Sequence, residues 1–295
     1  LAFHPAPVLV HTGQERAPAL FRQERLVERL RSSRIEVIDL GDLPKVAFRP
    51  DPRNPKCQNL EQVRDVALRV AEAVSWAAQA RAKPLVLGGD CTITLGVLSG
   101  LLRHLPDLGL MYVDGDVDLN TPADTPSGIL DGMGMAHIIG KGADALTRLG
   151  PRYPLMPQED IVLFGYNADA GSIDASELEH LKNCSMVRYA AKQIRDDVPG
   201  VSREALERLE SRVACVLVHF DVDVIDYADF PVADVPHRNG LTFSQALAAL
   251  RVFVSSPRFA GLVITEFNAD RSAAGIHAER LVAAVTEALR VDAQD

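Results

Sequence analysis

Three aspartates at alternate positions, Asp114, Asp116 and Asp118, follow directly on the apolar run Leu110-Met-Tyr-Val113. A second stretch repeats the design, with Cys215-Val-Leu-Val-His-Phe220 running into Asp221, Asp223 and Asp226. Carboxylates this close repel one another, and taking them out of water unpaired is costly. A cation shared between the two stretches answers both difficulties, so a metal centre is expected where they meet. Two other readings of the Asp-x-Asp-x-Asp run are weaker. An EF-hand loop needs Gly at its sixth position and a closing Glu, and here Leu119 stands sixth with no such Glu. A phosphatase of the haloacid-dehalogenase type would use the first Asp as nucleophile, but it carries the motif at the chain start with later Lys and acidic partners, which find no place here. Simple capping of helices and solvation of strand ends suits Asp226 and Asp90. It does not account for two acidic strand ends at once.

The elements that hold these residues can be read from the apolar spacing. A run such as Leu110–Val113 reads as a strand buried on both faces. Further strands are expected at Val8-Leu9-Val10, Ile35–Leu40, Pro84–Leu87, Ile161–Phe164, Met186–Tyr189 and Ala260–Glu266. Helical spacing covers Leu20–Leu30, and a long helix from a cap at Asn59 to about Ala82. More helices are expected after Cys91 to about His104, and over Met133–Ile139, Ser172–Leu181, Ser202–Arg212, Thr242–Val254 and His277–Leu289. Residues 44–59, with Pro44, Pro50, Pro52 and Pro55, form a loop. Strands alternating with helices predict an α/β fold with a mainly parallel sheet covered on both faces, in one domain spanning residues 1–295. Function in such sheets sits beyond the carboxyl ends of the strands. Those ends carry Gly88-Gly89-Asp90-Cys91, Asp114 to Asp118, Asp221 to Asp226, and Glu266-Phe-Asn268, so four strands deliver polar groups to one rim.

Composition sets the outer bounds. The 295 residues, 47% of them hydrophobic, suffice for a large core. A net charge of −9 argues against a nucleic-acid partner, which needs clustered Lys and Arg. No apolar run reaches the length of a membrane span, and the first residues match neither a secretory signal nor a transit peptide. With no initiator Met, the native chain is expected to begin further upstream. The cysteines Cys57, Cys91, Cys184 and Cys215 are scattered, so a disulfide framework is not expected and a cytoplasmic location is.

The ordered set of a Gly-Gly-Asp turn, Asp114-x-x-x-Asp118-Leu-Asn-Thr-Pro122, Ser127-Gly-x-x-x-Gly132, Phe220-Asp-x-Asp223 and Glu266-x-Asn268 resembles the arginase/agmatinase/formimidoylglutamase family of ureohydrolases. The likeness is clear over roughly residues 84–270. It implies a three-layer α/β/α domain, a binuclear manganese site, hydrolysis at a guanidino or amidino carbon, and a trimer or hexamer. Carried over by position, one metal would be held by Cys91, Asp114, Asp118 and Asp221, and the other by Asp114, Asp116, Asp221 and Asp223. Glu266 would accept hydrogen bonds from the cationic substrate. A hydroxide bridging the metals would attack, since coordination lowers the pKa of water to near neutrality.

The chain departs from the family pattern where chemistry is decided. Cys91 and Asp116 stand where the family usually has His. The family's Ser-Gly-Asn-x-His-Gly loop, which holds the amino-acid end of the substrate, reads Ser127-Gly-Ile129-Leu-Asp131-Gly132. Ile129 cannot hydrogen-bond a carboxylate and Asp131 replaces the histidine, so a guanidino or amidino compound other than plain arginine is the expected substrate, with Asp131 as the proton-transfer residue. A Cys91 thiolate and five aspartates would set six negative charges against four positive ones. A proton must therefore be retained, the substrate must be cationic, or fewer ions must bind. Carboxylates suit Mn²⁺ or Mg²⁺ and a thiolate suits Zn²⁺, so the position without the thiolate should fill better with manganese. The competing reading is a ureohydrolase homologue that has lost catalysis and acts as a ligand-binding or interaction module. Of the histidines, His137 falls in helical apolar spacing and reads as structural. His219 points the same way as Asp221 along its strand and reads as a supporting partner, while His237 and His277 lie near the rim within reach of substrate.

Overall fold

The computed structural model describes residues 12–46, 48–169, 173–271 and 273–290. The elements run α1 (Ala17–Gln23), α2 (Leu26–Ser32), α3 (Leu60–Gln79), β1 (Leu85–Leu87), α4 (Ile93–Leu101), β2 (Leu108–Val113), α5 (Gly134–Ile138), α6 (Asp144–Thr147) and β3 (Ile161–Phe164). They continue with α7 (Ala175–Lys182), β4 (Val187–Tyr189), α8 (Ala191–Ile194), α9 (Val198–Glu210), β5 (Cys215–Asp221), α10 (Phe243–Val254), β6 (Phe259–Thr265) and α11 (Ala274–Leu289). Among the described residues six strands form one sheet in the order β1-β6-β5-β2-β3-β4, every pair parallel. The two acidic strands, β2 and β5, are therefore neighbours at its centre, with Val113 beside Phe220.

Alternation along the strands divides the core into two layers. Met111, Val113, Val216, Val218, Phe220, Leu262 and Ile264 face α9, α10 and α11, where Leu209, Phe253 and Leu281 meet them. Leu110, Tyr112, Leu217 and Val263 face the opposite layer, against Val70 and Val74 of α3 and Leu95 and Leu98 of α4. The result is the expected three-layer α/β/α arrangement. Helix α4 crosses α3 so closely that a Cβ on Gly96 would lie 2.4 Å from the carbonyl oxygen of Ala67. No helix among the described residues is long and apolar enough to cross a membrane.

Several local expectations are corrected. The single helix over Leu20–Leu30 is two, because Arg25 adopts a left-handed backbone (φ 65°) between α1 and α2. Ile35–Leu40 forms no ladder among the described residues, and Ile38 and Leu40 are 57% and 56% exposed. A strand needs a neighbour for its amide and carbonyl groups, and the expected Val8-Leu9-Val10 lies outside the described residues. Asn59 does not cap α3; its backbone is left-handed and its side chain donates to Arg49 O at 2.9 Å. Thr242 does cap α10, in a reciprocal pair with Gln245. All four cysteines are free.

Candidate metal centre

Where β2 and β5 end, each chain turns sharply and ties its acids into the turn. Asp114 Oδ1 accepts from Asp116 N at 2.6 Å, and Asp221 Oδ1 accepts from Asp223 N at 2.7 Å. The two turns are joined by Gly115 N, which donates to Asp223 Oδ1 at 2.9 Å. On the other side of β5, Glu266 N donates to Gly89 O at 2.9 Å, which locks the end of β6 to the glycine turn after β1. Backbone pairing thus brings four strand ends to one rim, and the acidic side chains share the space above it.

Cys91, Asp114, His219 and Asp221 form one buried group, each offering a donor atom, with all four atoms within 4.8 Å of one another. Cys91 Sγ lies 2.7 Å from Asp221 Oδ2 and 3.9 Å from Asp114 Oδ2. A second group joins Cys91 to Asp131 and Glu266, and Cys91 N donates to Asp131 Oδ1 at 2.8 Å. Asp116 and Asp223 meet around a different imidazole. His237 Nε2 is 3.9 Å from Asp116 Oδ2 and 3.3 Å from Asp223 Oδ2. Asp118, with a left-handed backbone (φ 50°), accepts from Tyr112 Oη at 2.5 Å and sits at the edge of the first group.

The electrostatics are those of a site built for positive charge. Burial, reinforced by the surrounding carboxylates, pushes the carboxyls of Asp114, Asp118, Asp131, Asp221 and Glu266 well above the usual range. Burial and the charges of Asp221, Asp131 and Asp114 likewise push the Cys91 thiol up, so without a cation it stays protonated and donates to Asp221. Burial holds His219 neutral, at about 3. Burial also acts to lower His237, but Asp223 and Asp116 outweigh it and hold the imidazole up at about 9. Glu177, which sequence spacing did not single out, is pushed up to about 8 by burial and by Asp116, and accepts from Leu119 N at 3.2 Å.

The donor chemistry fits divalent cations: carboxylates from separate strand ends, two imidazoles and a thiol, most of them buried. The six residues expected as ligands, Cys91, Asp114, Asp116, Asp118, Asp221 and Asp223, all reach this rim. Glu266 stands beside them with its carboxylate Oε1 buried and without a partner. Its φ of 63° is strained for a non-glycine residue, and its other oxygen is taken by Gln14 Nε2. Ser127 spends its hydroxyl on its own turn, accepting from Ile129 N at 3.2 Å. Asp90 and Asp226 accept from Thr92 N and Ala228 N, the local capping expected of them. His137 accepts from Ala143 N as a buried structural residue, and His277 packs edge-on against Phe230. The sequence undervalued His219 and His237. For His219 the period-two alternation with Asp221 was the available signal, and for His237, on a loop, none was.

The family model of the arginase family matches residues 6–290. In sequence the chain is similar to an arginase of Bacillus caldovelox, 29% identical over 259 residues covering 87% of this chain and 85% of that one. It is similar to an arginase of Bacillus subtilis (strain 168) at 30% over 258 residues, with the same coverage of 87% and 85%. In structure it is similar to the native arginase of Bacillus caldovelox at pH 5.6, with a TM-score of 0.87, 27% identity and 96% of each chain covered.

Proposed function

The chain belongs to the arginase family, and from that premise we propose that it is a metal-dependent hydrolase of a non-peptide C–N bond in a guanidino or amidino compound other than plain arginine. One observation carries the reading: Glu266 presents an unpartnered buried oxygen at the mouth of the acidic cluster. A planar cation with several N–H donors satisfies such an oxygen and neutralises the charge around it. Cys91, Asp114, Asp116, Asp118, Asp221 and Asp223 would hold divalent ions, Mn²⁺ before Zn²⁺ given the carboxylate majority. The ions, when bound, supply a water acidic enough to be deprotonated near neutral pH.

The protein's own groups do the rest. Glu266 orients the substrate by accepting N–H hydrogen bonds at its free Oε1. Asp131, held by Cys91 N and with its carboxyl pushed up by burial and by Asp90, is placed to deliver a proton to the departing amine. Ile129 offers no partner to a carboxylate, which disfavours an amino-acid end on the substrate. The test is urea or ammonia release from a panel of guanidino and amidino compounds, with Mn²⁺ and Zn²⁺ supplied in turn. Turnover that falls at least about 100-fold in Asp131→Asn supports the reading. Silence across the panel despite bound metal overturns it in favour of a binding module, the reading supported by Cys91 and Asp116 standing where the family usually has His.

A further inference from the structure

We propose that His219 and His237 are the imidazole ligands of this centre, one at each metal position, and that Gly115 is the residue that admits the second. The inference rests on the metal-dependent reading above, and it assigns ligands that the positional likeness to the family does not.

His219 sits on β5, two residues before Asp221 and on the same face, fully buried. Its Nε2 lies 3.5 Å from Cys91 Sγ and 3.7 Å from Asp114 Oδ2. Donors sharing one ion, with bonds of about 2.0–2.3 Å at octahedral or tetrahedral angles, lie about 2.8–3.8 Å apart, and both distances fall within that spacing. The ring cannot turn away. It stacks on Tyr112 with centroids 4.1 Å apart and planes at 8°. Its Nδ1 lies 2.8 Å from Thr94 Oγ1 at the start of α4. With Nδ1–H donating to that hydroxyl, the lone pair of Nε2 is aimed into the group, the usual support for a metal-bound imidazole.

His237 reaches the other position from the loop between β5 and α10. It is 6% exposed, and its Nε2 makes no hydrogen bond although it stands between Asp223 and Asp116. In the metal-free chain the ring is paired in charge with Asp223 and Asp116; its Nε2, buried and without a hydrogen bond, points between the two carboxylates, where an ion they share would meet it. The loop is fastened to the acidic turn by Asn167, whose N donates to Gly115 O at 2.9 Å and whose Nδ2 donates to Arg238 O at 2.6 Å. Tyr227 N donates to His237 O at 2.9 Å from the far side. Gly115 makes the room: a Cβ there would lie 2.8 Å from His237 Cδ2. Each position thereby gains an imidazole donor that adds no negative charge to a set already rich in carboxylates.

X-ray absorption at the manganese edge, on the full chain saturated with Mn²⁺, reads imidazole directly through its outer-shell scattering. The wild type should show about one imidazole per ion, falling by half in His219→Asn and in His237→Asn and vanishing in the double variant. Asn at 219 keeps an amide to meet Thr94 while removing Nε2. Titration calorimetry should show one Mn²⁺ site weakened at least about tenfold in each single variant. Bound manganese with no imidazole scattering in the wild type overturns the proposal without help from any variant, as does a double variant that keeps it. Imidazole on the metal without turnover of any guanidino or amidino compound sustains these ligands and removes the hydrolase reading. Turnover by a metal bearing no imidazole does the reverse.

Discussion

Replacing Gly115 by Ala tests the packing on which the second metal position depends. The new methyl would lie 2.7 Å from Asp223 O and 2.8 Å from His237 Cδ2, where ordinary contact begins at 3.4 Å. Its neighbours must therefore yield by about 0.7 and 0.6 Å. Asp223 O belongs to a turn held by Asp221 Oδ1 and Gly115 N, so the imidazole is the partner that gives way. Overpacking on this scale costs about 1–3 kcal/mol. Gly115 is not among the residues with positive φ, so Ala fits the backbone and regains about 0.4–1 kcal/mol by restricting the unfolded chain. The net loss should be about 1–2 kcal/mol in urea denaturation of the metal-free chain. Metal bonds tolerate about 0.2 Å of error, so a 0.6 Å displacement of the ring should also weaken one Mn²⁺ site by about tenfold or more. In a His237→Ala background the share of both penalties that comes from the ring should disappear, while the contact with Asp223 O remains. A Gly115→Ala chain with unchanged stability and unchanged Mn²⁺ affinity would refute the packing argument.

The metal-free chain should lose stability as pH rises from about 6.5 to 9. His237 at about 9 and Glu177 at about 8 keep protons in the fold that the unfolded chain has already released, so the native state binds more protons and the slope is negative. Mn²⁺ should flatten that slope by displacing the protons, and denaturation at both ends of the window with and without the ion reads it. Replacing Cys91 by His should raise the manganese content of protein grown with the metal, measured by elemental analysis; equal content would count against a disfavoured thiol position. Gly96→Ala should destabilise the chain by about 3 kcal/mol in urea denaturation by driving α4 off α3.

Much of the centre could be read from residue order alone. A period of two along β5 assigns side chains to faces without knowledge of anything else in the fold, so the shared face of His219 and Asp221 follows from local stereochemistry; Asp114 meets Asp221 because β2 and β5 are neighbours in the sheet. The order of the acidic, glycine and Glu266 segments carried the family. Other features depend on contacts between distant stretches. Ile35–Leu40 has strand-forming residues but no ladder partner among the described residues, and Asn59 had a better acceptor in Arg49 O than in the first turn of α3. His237 lies on a loop with no period to aim its side chain. It points at Asp116 and Asp223 because Asn167 pins that loop to Gly115 and because Gly115 has no side chain to stand in the way. Residue order determined which donors the strands would present, since alternation is a property of the chain itself. The tertiary structure alone decided which imidazole would join them at Asp116 and Asp223, since that choice rests on packing between segments about 50 to 120 residues apart.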